Sequence, residues 1–138
     1  MKTPFKITFF VVLLSMLLLA VFAVTQEPKP SSMNIPAYNP AQERNFSGII
    51  TEVKNYQCPV SGTVGAHIVV KGITDTLEVH LAPATFLTRY EIILNPGDKV
   101  SVTGIKFNYQ GKPAMIAGTV VDGQNTYTFR DLKGRPQW

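Results

Sequence analysis

From Gly65 to Ala82 apolar and polar side chains alternate with a period of two. Ala66, Ile68 and Val70 alternate with His67, Val69 and Lys71; after Gly72-Ile73-Thr74-Asp75, Leu77, Val79 and Leu81 alternate with Thr76, Glu78 and His80. That period predicts two strands, each with one apolar face, joined by a short connection. If Lys71 pairs with Thr76, the antiparallel register sets His67 opposite His80, both on the face away from the Leu/Val row. The expectation is two half-exposed imidazoles side by side on the outside of a sheet.

The same reading extends along the chain. Asn45 to Asn55 predicts a first strand, apolar on both sides and carrying Gly48, as suits a long curved strand shared by two sheets. Tyr56 to Val64 is rich in Pro, Gly and Ser and reads as a loop. Pro83 to Tyr90 loses the two-residue period and reads as a short helix opened by proline. Asn95-Pro96-Gly97-Asp98 is a turn signal. Lys99 to Phe107 predicts a fourth strand; its apolar parity flips after Val102, which requires a bulge near Thr103-Gly104. Pro113 to Val121 and Asn125 to Arg130 predict strands five and six, separated by Asp122-Gly123. Residues 131–138 read as a clasp ending in Trp138, the single tryptophan. Three strands, a short helix and then two or three more strands is the order of an OB-fold barrel. The expected fold class is therefore mainly β: a small OB-fold-like barrel of five to six strands, with one short helix between strands 3 and 4.

Ahead of that barrel, Ile7 to Val24 is almost wholly apolar, preceded by Lys2 and Lys6, and Val21-Phe22-Ala23 has the small-residue spacing of a signal-peptidase site. The run suits either a cleaved signal peptide or a retained membrane anchor. Both alternatives put the remainder outside the cytoplasm, periplasmic or membrane-anchored. The expected organisation is 1–23 leader or anchor, 24–44 proline-rich linker and 45–138 barrel domain with its clasp. The formal charge of +4 includes Lys2 and Lys6; the segment 45–130 is near neutral. A basic stripe of the kind that neutralises phosphates is missing, so the expectation is no nucleic acid. An envelope or membrane protein is the expected partner. Cys58 is the only cysteine, which excludes an internal disulfide, and it reads as a partly shielded loop thiol.

Val79-His80-Leu81-Ala82-Pro83, Phe86-Leu87, Pro96-Gly97-Asp98 through Gly104, and Arg130-Asp131-Leu132-Lys133-Gly134-Arg135-Pro136-Gln137-Trp138 together resemble small exported bacterial OB-fold proteins related to the C-terminal domain of the magnetosome proteins MamS and MamX. Ala82 stands where the family pattern has Gly. The resemblance implies an OB-like fold and export. Haem-bearing relatives carry a CxxCH attachment motif, and this chain has none.

The candidate chemistry centres on His67 and His80. Directly opposed residues on paired strands have Cβ atoms about 5 Å apart, close enough for two imidazoles to share a divalent metal. Glu78 and Val69 share the hairpin, whose outer face is where OB-folds often bind ligands. The candidate ligand- or partner-binding set is thus His67, Val69, Glu78 and His80, with His67 and His80 as metal ligands that still need a third. Tyr56, Tyr90 and Tyr109 are candidate platform aromatics. No nucleophile–base–acid set, Gly-Ser elbow or phosphate loop is visible. The expected function is a non-catalytic, exported or tethered accessory module, with a metal- or redox-linked role as the alternative.

Overall fold

The computed structural model describes residues 34–138. The leader and the first part of the linker lie outside the described residues. Among those described, no helix is long and apolar enough to cross a membrane. Six strands follow in order: β1 Arg44–Cys58, β2 Thr63–Lys71, β3 Thr76–Pro83, β4 Lys99–Tyr109, β5 Lys112–Asp122 and β6 Asn125–Thr128, with helix α1 (Ala84–Arg89) between β3 and β4. The sheet order is β3-β2-β1-β4-β5-β6, and a parallel pairing of β3 with β5 closes it into a barrel. This is the OB-fold topology that the order of elements predicts.

β1 is shared as expected. Its first half, Arg44–Ile49, pairs with β4, and its second half, Ile49–Cys58, pairs with β2 across an irregularity between Ile50 and Glu52. Gly48 lies where the strand crosses from one partner to the other; a Cβ there would collide with the Lys71 carbonyl. The β4–β5 register shifts between Thr103 and Gly104, at the place where the apolar parity flips. Inside the barrel, Ile50, Ile68, Val70, Leu77, Val79, Leu81, Val102, Met115, Val120 and Phe129 are buried, and Phe86 of α1 plugs one end against Phe129.

Three differences matter. The segment from Tyr56 is not a loop up to Val64: β1 continues to Cys58, β2 starts at Thr63, and Cys58 pairs with Thr63. Only Pro59–Gly62 turns the chain, closed by Gly62 N–H donating to the Cys58 carbonyl and by a left-handed Gly62. Secondly, the end of the proline-rich stretch packs on the domain. The Tyr38 hydroxyl bonds Glu43, its ring meets Gly118 and Gly134, and Pro40–Gln42 forms a 3-10 turn. Arg130 is held between the Tyr38 and Trp138 rings, 4.9 and 5.1 Å from their centroids, and donates to the Gly134 carbonyl. Lastly, Cys58, His67, His80, Ile105, Tyr109, Ala114 and Ile116 are buried but fall outside the barrel core. They build a second, smaller cluster on the opposite face of the sheet.

Candidate metal centre

The antiparallel ladder of β2 and β3 pairs Lys71 with Thr76 and His67 with His80. The two histidines thus share a face, and their rings meet edge to face at 4.6 Å. They are not half-exposed: His67 is 0% and His80 1% accessible. The cover comes from strand residues beyond the hairpin. Tyr56 stacks flat on His67 at 3.9 Å, while Phe107 and Tyr109 from β4 contact His80 edge-on at 5.3 and 4.6 Å. The second half of β1 and the end of β4 thus lay their aromatic side chains over the pair.

Cys58 supplies the third corner. Its Sγ lies 3.2 Å from His80 Nδ1, and one donor atom from each of Cys58, His67 and His80 falls within 4.8 Å of the others. All three residues are buried. Nε2 of His80 and both ring nitrogens of His67 make no hydrogen bond of good geometry, although the Lys54 and Gly65 backbone lies beside the His67 ring. Leaving a buried imidazole nitrogen unpaired costs about 1–3 kcal/mol, a cost that a bound ligand atom would remove. Burial pushes both histidines down to about 4, and for His80 the neighbouring His67 adds to the effect. Both rings are therefore neutral at pH 7, with lone pairs available.

A second row of residues organises this cluster. Glu78 Oε1 accepts a hydrogen bond from the Tyr56 hydroxyl, and Oε2 pairs with Lys54 Nζ at 2.9 Å. Burial alone would raise the Glu78 carboxyl, but these two donors outweigh it and hold it below the ordinary range. Burial and the Glu78 carboxylate push the Tyr56 hydroxyl far up, so it stays protonated as a donor. Glu78 Oε1 lies 3.9 Å from His80 Nε2. His80 thus turns Nδ1 to the sulfur, while Nε2 faces the Glu78 carboxylate from beyond hydrogen-bond distance. An open cleft of about 1020 Å³ runs beside the cluster; Cys58, Glu78, Val69, Lys54, Tyr56 and Tyr109 are among its lining residues.

Of the four residues singled out in the sequence, His67 and His80 meet directly, Glu78 stands behind His80, and Val69 lies on the cleft wall. Tyr56 and Tyr109 join the cluster. Tyr90 is 59% exposed and packs on Phe86 at the other end of the barrel. Cys58 was missed because Pro59, Ser61 and Gly62 made its surroundings look irregular; its odd-even match with Tyr56 on an extended β1 was the available signal.

In fold the domain is similar to a chain of the S. pombe Stn1–Ten1 complex, at 16% identity and a TM-score of 0.47, covering 60% of this chain and 59% of that one. It is also similar to the S. cerevisiae mitochondrial single-stranded DNA binding protein Rim1, at 14% identity and a TM-score of 0.43, covering 61% of this chain and 95% of that one. These neighbours correct the partner expectation, which set an envelope protein against nucleic acid. The exclusion rests on net charge summed over the chain, which does not describe a local groove. No curated protein matches the chain in sequence. The sequence model of the MamS/MamX magnetosome protein family matches residues 42–127, and the chain belongs to that family.

Proposed function

We propose that this chain is a non-catalytic accessory module, associated with the magnetosome as its family name indicates, that holds one transition-metal ion at Cys58, His67 and His80. It acts outside the cytoplasm, exported or tethered by its apolar leader. The observation that carries the reading is the convergence of one buried thiol and two buried imidazoles, with a donor atom of each within 4.8 Å of the others. Thiolate and imidazole are the ligands that zinc, copper and related ions select, and three such groups meet the minimum for a defined site. The aromatic cover supports a resident ion, because it leaves only the cleft side open to exchange.

Cobalt(II) titration of the metal-free protein tests this reading. One equivalent is expected to bind and to give thiolate-to-metal charge-transfer absorption, which Cys58→Ser abolishes and His80→Ala shifts or abolishes. A protein that binds neither cobalt(II), zinc(II) nor copper, or that binds them equally well without Cys58 and His80, refutes it.

A further inference from the structure

This inference rests on the metal-centre reading and narrows it to one ion. We propose that the resident ion is monovalent copper, held three-coordinate by Cys58 Sγ, His80 Nδ1 and one nitrogen of His67.

Charge is the first argument. Metal binding needs the thiol as thiolate and the imidazoles neutral, so the three ligands carry one negative charge in total. The other anion nearby, Glu78, is already matched by Lys54 at 2.9 Å and by the Tyr56 hydroxyl. A divalent ion would leave one uncompensated positive charge among buried residues, which costs several kcal/mol after relaxation. A monovalent ion leaves the site neutral.

Ligand number is the second. Zinc in structural sites is almost always four-coordinate. Among the described residues the cluster contains three His, Cys, Asp or Glu side chains. Glu78 lies on the Nε2 side of His80, away from the sulfur, and both its oxygens are engaged. A trigonal site of one thiolate and two imidazoles is a copper arrangement.

The surroundings are the third. Tyr56 lies flat on His67, Phe107 and Tyr109 close on His80, and Ile105 and Ile116 are buried in the same outer cluster. The Tyr56 hydroxyl is committed to Glu78, and this largely aromatic and aliphatic sleeve suits a soft ion of low charge.

The test uses the full chain, metal-free and reduced, under anaerobic conditions. Copper(I) is titrated against bicinchoninate and zinc(II) against a chromophoric zinc chelator, and X-ray absorption is recorded on each loaded form. The expected result is one copper(I) bound more tightly than zinc(II) by ~100-fold or more, with one sulfur and two nitrogen scatterers and no fourth ligand. Cys58→Ser is expected to lose copper(I) binding while circular dichroism keeps its β signature. Zinc(II) bound through Cys58 as tightly as copper(I), or a copper(I) spectrum with a fourth ligand, overturns the copper assignment and leaves the metal centre standing. Absence of both ions overturns both readings. The absorption measurement on the unsubstituted protein decides the matter even if Cys58→Ser fails to fold.

Discussion

Acidification should strip stability from the metal-free protein well above the pH at which carboxylates titrate. The perturbation is a drop from pH 8 to pH 5. His67 and His80 sit near 4 in the folded state against 6.5 in the open chain. Between those values the unfolded chain binds more protons, so the stabilisation is fully present above 6.5 and is lost as the pH falls towards 4. At pH 5 each ring accounts for about 2 kcal/mol, hence about 4 kcal/mol for the pair. That is a large part of the ~5–15 kcal/mol of an ordinary domain. The groups facing the two rings are Cys58, Tyr56 and Lys54 from β1, Glu78 from β3 and Tyr109 from β4. The Tyr56 hydroxyl and Lys54 hold the Glu78 carboxyl below its usual range. Urea unfolding followed by circular dichroism, in the presence of a chelator, reads the effect. With a slope of about 1–3 kcal/mol per molar urea, the midpoint should fall by about 1–4 M between pH 8 and pH 5. Replacing one ring, as in His67→Phe, should halve the pH dependence whatever it does to absolute stability. A midpoint that is flat between pH 7 and pH 5, or a slope that survives replacement of both rings, would refute the reasoning.

Other expectations follow from contacts already described. Tyr56→Phe removes the hydroxyl that helps fix Glu78 but keeps the ring stacked on His67, so metal affinity should fall by about 10–100-fold with little change in thermal midpoint; an unchanged affinity in a competition titration would show that Glu78 does not orient His80. Gly104→Ala places a Cβ against the Ile116 carbonyl at the β4–β5 irregularity and should destabilise by about 1–3 kcal/mol, measured by urea unfolding. Arg130→Ala empties the slot between Tyr38 and Trp138 and removes the bond to the Gly134 carbonyl; a loss of about 1–3 kcal/mol, with a changed Trp138 emission, is expected. A Trp138 spectrum identical to that of the unsubstituted protein would rule out the clasp.

Much of the barrel could be read from alternation alone. The period through Ile68, Val70, Leu77 and Val79 placed the central hairpin, and the Lys71–Thr76 pairing carried His67 opposite His80 by arithmetic. The parity flip after Val102 announced the irregularity at Gly104. What alternation does not report is what covers the second face. The alternation assigns His67 and His80 to the correct side of the sheet and the wrong solvent environment, because Tyr56, Phe107 and Tyr109 reach them from 11 to 29 positions away in the chain. Cys58 was hidden for a local reason: composition that favours loops also fits a strand end followed by a four-residue turn. Tyr38 was hidden because a proline-rich stretch reads as spacer right up to the residue that docks.

All three donor groups lie on one continuous up-and-down run of three strands, and Cys58 and His80 are only 22 positions apart. The pairings that shut the cylinder, β1 with β4 and β3 with β5, are of much longer range in the chain. Contacts of short sequence separation are gained with less loop-closure entropy, so this run can assemble before the cylinder is shut. An ion captured at that stage would act as a nucleus: it would staple the first three strands early and hasten folding, rather than merely slow unfolding of the finished domain.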